Sequence, residues 1–155
     1  MTMVDISEKP EAFREATATG TIKLKPETIS LIKDGKIAKG DSLYTAKIAG
    51  IIAAKKTSAL IPLCHPLPLT SVEIETKILS NSTVQVSSTV KTKAQTGVEM
   101  EALVATAVSL LTIWDMTKQY EKDVKGQYPF TAIENIRVVR KVKEVAQGER
   151  KRKKA

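Results

Sequence analysis

An α+β domain, an antiparallel sheet with its helices on one face, is predicted by three observations. Two period-two runs, residues 71–79 and 84–90, flank a polar turn at Asn81 and Ser82, the pattern of a β-hairpin. A long helical pattern follows, from about residue 99 to residue 122, and a last alternating run covers residues 131–144. A strand and two shorter helical patterns come before the hairpin, so the order reads βαββαβ with the first two helices acting as one crossover.

Taken in order, residues 1–19 read as irregular or extended. Residues 20–25 (GTIKLK) alternate, with Ile22 and Leu24 opposite lysines, and predict a short half-buried strand. Pro26 suits a first helical position, where its missing amide is no loss. Ile29 and Ile32 share a face, and Gly35 can close that helix in a left-handed conformation. Asp41 can cap a second helix running from residue 42 to about residue 60. Tyr44, Ile48, Ile51 and Lys55 fall on one of its stripes. Ala46, Ala49, Gly50, Ala53 and Ala54 make it thin, so close packing is expected, across a subunit boundary or within the chain. Pro62, Pro66 and Pro68 forbid regular structure in the next segment and stiffen it around Cys64 and His65.

In the hairpin, Val72, Ile74 and Ile78 oppose Glu73, Glu75 and Lys77; Val84, Val86 and Val90 then alternate with Gln85, Ser87 and Thr89. Thr96 and Glu99 stand three apart, as in a capping box at the start of the long helix. That helix is apolar nearly all round from residue 102 to 114. One stripe suffices against a sheet, so a second cover is expected: another subunit, or the second helix of the same chain. The last strand alternates Ile136, Val138 and Val142 with Arg137, Val139, Lys141 and Lys143, which predicts one solvated basic face. The order matches the ferredoxin-like split-βαβ pattern.

With 155 residues and no internal repeat, one domain over residues 1–147 is expected. The net charge of +8 invites a nucleic-acid reading. Its distribution argues against one. Residues 150–154 carry five of those charges in a run, within a basic tail, residues 148–155, expected to be disordered and solvating. Sheets that bind RNA stack bases on strand aromatics, and the two hairpin runs contain none. The single cysteine, Cys64, excludes an intrachain disulfide and suits a reducing cytosol. No secretory signal is read at the N-terminus. The 13 residues from 102 to 114 fall short of the roughly 20 needed to span a membrane. A cytoplasmic protein without membrane or nucleic-acid partners is the expectation.

A few residue types can carry chemistry. Lys39 precedes a helix start, where free amides favour anions, although on position alone it reads as an ordinary exposed lysine. His65 is the only histidine, in a stiff apolar loop, and can titrate near neutral pH. One histidine and one cysteine fall short of a structural zinc set. Glu99 has the capping box as its duty; Glu101 has none. Asp115 and Lys118 stand at i and i+3 and can pair. Asp115 alone would raise the pKa of Lys118, so proton transfer by Lys118 calls for burial or a second cation, for which Lys39 is a candidate. Glu101 and Asp115 lie about 21 Å apart along one helix, so a small ligand touching both needs two chains.

Six segments together resemble one family: MVDIS at 3–7, KGD at 39–41, AGIIAAKKT at 49–57, LIPLCHPL at 60–67, TGVEMEAL at 96–103 and WDMTK at 114–118. They are similar to the signature set of the MoaC family, the cyclic pyranopterin monophosphate synthases of molybdenum cofactor biosynthesis. The resemblance covers nearly all of the folded part. It implies a ferredoxin-like lyase, assembled as a homo-hexamer of three dimers with sites between subunits. It implies a GTP-derived substrate, 3′,8-cyclo-7,8-dihydroguanosine 5′-triphosphate, supplied by a partner radical enzyme, and release of diphosphate. Asp115, Lys118 and Lys39 are implied as catalytic. Leu63, Cys64, His65, Met100 and Glu101 are implied as substrate contacts, with Glu99 adjoining and Asp5, Arg14 and Lys55 as further positions near the pocket. No cofactor is identified, and a magnesium ion carried on the triphosphate is compatible with this chemistry.

Overall fold

The structure, a computed structural model, describes residues 1–145; the basic tail lies outside the described residues. Its order is β1 (Ala12–Lys23), α1 (Pro26–Lys33), α2 (Ser42–Lys55), α3 (Thr57–Leu60), β2 (Leu69–Ser80), β3 (Thr83–Ala94), α4 (Glu99–Glu121) and β4 (Ala132–Glu144). The four strands form one antiparallel sheet in the order β2-β3-β1-β4. The helices pack on one of its faces, as an α+β, ferredoxin-like arrangement requires.

β1 is twice as long as the alternation of Ile22 and Leu24 predicts. Its register against β3 runs unbroken from Ala12↔Ala94 to Lys23↔Thr83. Its buried face is Ala12, Arg14, Ala16, Ala18, Gly20 and Ile22. Small side chains with weak β propensity hid that period from sequence reading. They are small because α4 lies on them. A Cβ at Gly20 would meet Leu110 Cδ1 at 2.8 Å and Ile136 Cγ1 at 2.9 Å, and Thr106 bonds to Ser88 Oγ at 2.9 Å from the helix.

The second helix ends at Lys55, earlier than expected, and a separate turn, α3, leads into the proline-rich loop. The cap on α2 is as predicted: Asp41 accepts from the Tyr44 backbone N–H at 2.9 Å. Its buried face is the thin one, Ala46, Gly50, Ala53 and Ala54, whereas Tyr44, Ile48 and Ile52 point outward at successive turns. The thin face meets α4. Ser109 donates to the Ala46 carbonyl at 2.9 Å, and a Cβ at Gly50 would crowd Ser109 Oγ and the Ala105 carbonyl. So α2 of the same chain covers the side of α4 turned away from the sheet. Of the expected alternatives, the intrachain one holds. Gly50→Ala is expected to lower unfolding free energy by about 1–3 kcal/mol through overpacking, measured by chemical denaturation; an unchanged midpoint would mean the helices separate freely.

α4 as a whole is long and apolar enough to cross a membrane by length and composition, although its charge-free stretch is not. More than half of that window is buried between sheet and α2, which is the signature of a core helix. β4 departs from simple alternation. Asn135 has φ 57°, and the pairing with β1 shifts twice, between Thr17 and Ala18 and between Thr19 and Thr21. The resulting bulges twist this edge strand and leave Ile136, Val138 and Val139 exposed, so it has no single solvated basic face.

Candidate functional site

The predicted site residues fall into two clusters at opposite ends of α4. At its C-terminal end the helical i, i+3 spacing brings Lys118 Nζ to 2.9 Å from Asp115 Oδ1. Lys39 arrives from the loop between α1 and α2. Its Nζ lies 3.1 Å from Asp115 Oδ2 and donates to the Asp115 carbonyl at 2.8 Å. One carboxylate therefore holds two lysines. All three side chains are exposed, and exposed pairs add little to stability; their order serves a ligand better than the fold. Beside them Leu111, Trp114, Tyr128 and Ile133 line a cleft of about 440 Å³ that Asp115 and Lys118 complete. The Trp114 and Tyr128 rings stand 5.3 Å apart, tilted by 54°.

The electrostatics of this cluster assign protonation states. Hydrogen bonds from Lys118 and then Lys39 hold the Asp115 carboxyl below the usual range. The same bond, donated to Asp115, holds the Lys118 ammonium above its usual range. The condition for Lys118 to work as a base, burial or a second cation overriding Asp115, is not met within one chain. Lys39 shares the carboxylate instead. Lys118 is thus a persistent ammonium at neutral pH, suited to binding an anion rather than to moving a proton.

The other cluster surrounds the N-terminal end of α4. The loop after α3 and the start of α4 enclose a cleft of about 320 Å³ lined by Leu63, Cys64, His65, Thr96, Gly97, Glu99 and Met100, with Ile61 and Leu67 at its apolar margin. His65 also lines a neighbouring pocket with Glu11, Lys93 and Gln95. The capping box does not form: the N-cap is Val98, with no side-chain cap bond. The Glu99 carboxylate folds back over Gly97, where any Cβ would collide with it, and pairs with Lys141 Nζ at 2.7 Å. Burial opposes ionisation of Glu99, but Lys141, helped by Arg14, outweighs it and holds the pKa below the usual range.

Glu101 is the opposite case. It is 3% exposed, and its Oε2 has no partner. Burial first, then the charge of Glu99, pushes its carboxyl above the usual glutamate range despite hydrogen bonds that favour the charged form. Cys64 Sγ sits 3.8 Å from Glu101 Oε1, and burial together with Glu101 pushes the thiol up. Cys64 is therefore a protonated thiol and not a thiolate. Two neighbouring carboxyls with oppositely shifted pKa values divide an acid role from a charged one. The shift has a sign that stability can report. The folded state holds the Glu101 proton more tightly, so stability falls as pH rises from the ordinary value of 4.5 to the raised one. Glu101→Gln is expected to remove that loss, giving a higher melting temperature than wild type at pH 7 and no gain below pH 4.5; parallel curves across the range would refute the assignment.

The remaining predicted residues are less central. Asp5 accepts from the Ser7 N–H at 2.9 Å in an exposed turn. That bond holds its pKa down, with a small contribution from His65. Arg14 is buried, and its guanidinium donates to the Ala94 carbonyl at 3.2 Å and the Gln95 carbonyl at 3.3 Å. It braces the chain entering α4 and does not line the clefts expected to take substrate. Lys55 is exposed in the last turn of α2, outside these clefts. Sequence reasoning missed Lys141, Trp114 and Tyr128 as site residues. The scarcity of aromatics, 4% of the chain, was a usable signal for the ring pair; the Lys141 contact depends on a register set beyond two bulges. Among the described residues no three His, Cys, Asp or Glu side chains gather as a metal-binding group.

The MoaC family model matches residues 3–144. Curated relatives named "Probable cyclic pyranopterin monophosphate synthase" align over almost the whole chain. That of Saccharolobus solfataricus is 58% identical over 142 residues, covering 92% of this chain and 95% of the relative. That of Sulfurisphaera tokodaii is 57% identical over 141 residues, covering 91% and 93%. That of Pyrococcus furiosus is 57% identical over 142 residues, covering 92% and 90%.

Proposed function

This chain belongs to the MoaC family, and from that premise we infer that it is a cyclic pyranopterin monophosphate synthase, a lyase of molybdenum cofactor biosynthesis. The observation that carries the reading is the agreement, at 57–58% identity and nearly full mutual coverage, with relatives named for that product. The substrate is 3′,8-cyclo-7,8-dihydroguanosine 5′-triphosphate, made upstream by a radical enzyme. The products are the cyclic monophosphate and diphosphate.

The chemistry of the two clusters supports a division of labour. Ring closure at the phosphate is an attack by a ribose-derived hydroxyl on the α-phosphorus, with diphosphate leaving. Two ammonium groups held by one aspartate, Lys39 and Lys118, suit the charge that develops on the phosphate oxygens. Asp115 orients them, and its lowered pKa keeps it ionised between the two ammonium groups. The guanine edge offers N–H donors, which the ionised Glu99 accepts. Glu101 is the better proton donor for ring opening and reclosing, and Leu63, Cys64, His65 and Met100 form the wall around the base. Asp5 and Lys55, which lie outside the clefts of one chain, are given no step in this chemistry. Magnesium accompanies the triphosphate as part of the substrate.

Glu101 and Asp115, one in each cluster, are 14 residues apart on one helix, about 21 Å. One compact nucleotide reaches both only where the N-terminal cluster of one copy faces the C-terminal cluster of another. A homo-hexamer of three dimers, working in the cytoplasm, provides such a site. The outward stripe of Tyr44, Ile48 and Ile52 and the exposed Ile136, Val138 and Val139 of β4 supply apolar surface for the contacts. Incubating the purified protein with the cyclised GTP is expected to yield pyranopterin and diphosphate in equal amounts. Unchanged substrate after prolonged incubation would overturn the assignment.

A further inference from the structure

We propose that Tyr120 is a positioning residue that holds Lys39 on Asp115 by anchoring the loop between α1 and α2; its consequence for turnover rests on the synthase reading above. The Ala38 backbone N–H donates to Tyr120 Oη at 2.8 Å, one residue before Lys39. The loop it pins carries glycines in left-handed conformations on both sides, Gly35 at φ 65° and Gly40 at φ 112°. Such positions swing at little steric cost, so the lysine between them has no stiff backbone of its own. Buried Ile37 ties down the approach to Lys39, and the Asp41 cap ties down the exit. The bond to Tyr120 is the tie that comes from the helix carrying Asp115. Tyr120 and Asp115 are five residues apart on α4, about 7.5 Å along the axis. Anchor and target are therefore fixed to one rigid element, and the loop is registered to both at once. The Lys39 bonds to the Asp115 carbonyl and carboxylate at 2.8 and 3.1 Å are the geometry that this registration preserves.

Tyr120→Phe keeps the ring and deletes only the acceptor, with Ala38 N–H free to bond water at an exposed site. Two readouts test it. The first is independent of catalysis: titration of the Asp115 carboxyl in protein labelled with ¹³C-aspartate. Tyr120→Phe is expected to move the Asp115 midpoint upward, in the same direction as Lys39→Ala. The second is turnover of the cyclised GTP, expected to fall about tenfold through misplacement of Lys39, with no further fall when Tyr120→Phe is added to Lys39→Ala. An unmoved Asp115 midpoint overturns the proposal. So does a turnover loss of the same factor in the Lys39→Ala background, which would mark a general structural role. A wild-type protein that leaves the cyclised GTP unchanged would remove the synthase reading alone, and the titration would still decide the anchor.

Discussion

Lys118→Ala is expected to lower turnover of the cyclised GTP by about 10²–10³-fold, the usual cost of deleting one preorganised charge stabiliser, with little change in melting temperature. The second half of that expectation follows from exposure: Lys118 and Asp115 both face solvent, and their pair contributes little to folding. The first half follows from the sharing of Asp115. Removing Lys118 leaves Lys39 as the only ammonium bound to that carboxylate, so the cluster loses half its positive charge where phosphate charge accumulates. Full turnover by the variant, measured as diphosphate released, would end the proposed role.

The same variant tests the shared site. Lys118→Ala disables the C-terminal cluster, and His65→Ala is expected to disable the N-terminal one. If each site takes one cluster from each of two copies, randomly mixed oligomers of the two inactive proteins contain about a quarter of sites with both clusters intact. Refolding the two together is therefore expected to restore about a quarter of wild-type activity, although neither recovers alone. No recovery in co-assembled oligomers would overturn the shared site.

The second large effect concerns folding. Glu121 ends α4 at 0% exposure and belongs to neither cluster. Its carboxyl accepts from the Lys25 backbone N–H at 3.1 and 3.2 Å, from the Thr28 hydroxyl, and from the Thr131 hydroxyl at 2.7 Å. α1 has no side-chain cap of its own at Lys25. The last residue of α4 thus caps α1 from across the core and ties in the residue that leads into β4. Glu121→Ala strands one amide and two hydroxyls in a buried setting. Each orphaned group costs about 1–3 kcal/mol, so a total near 3 kcal/mol or more is expected, seen as a melting temperature lower by about 10 °C. A shift under 2 °C would show that water replaces the carboxyl at each donor.

Much of this was legible beforehand. The hairpin, the Asp41 cap, the long helix and the order of elements follow from local rules of period, capping and turn chemistry, which act within a few residues. The residue types of both clusters were legible as well, because they sit in short blocks of sequence. The misreadings have a common cause. The outer half of β1 was hidden because its buried face is mostly alanine and glycine, which announce a strand only once α4 is known to rest on them. The capping box at Thr96 and Glu99 was plausible locally but lost to Lys141, which stands 42 positions later and arrives across the sheet. Arg14 has the chemistry of a phosphate ligand, yet two backbone carbonyls claim it.

By itself the sequence determined the family, the βαββαβ order and the inventory of acids, lysines and the single histidine, since these are carried by residue identity and short-range spacing. Only the tertiary structure decided which of them meet: Lys39 with Asp115, Glu99 with Lys141, Cys64 with Glu101, and Glu121 with the start of α1. Those pairings join residues 37 to 96 positions apart. The energy of a hydrogen bond or an ion pair depends on distances of a few ångströms and on local burial, and the packing of α4 between sheet and α2 sets both.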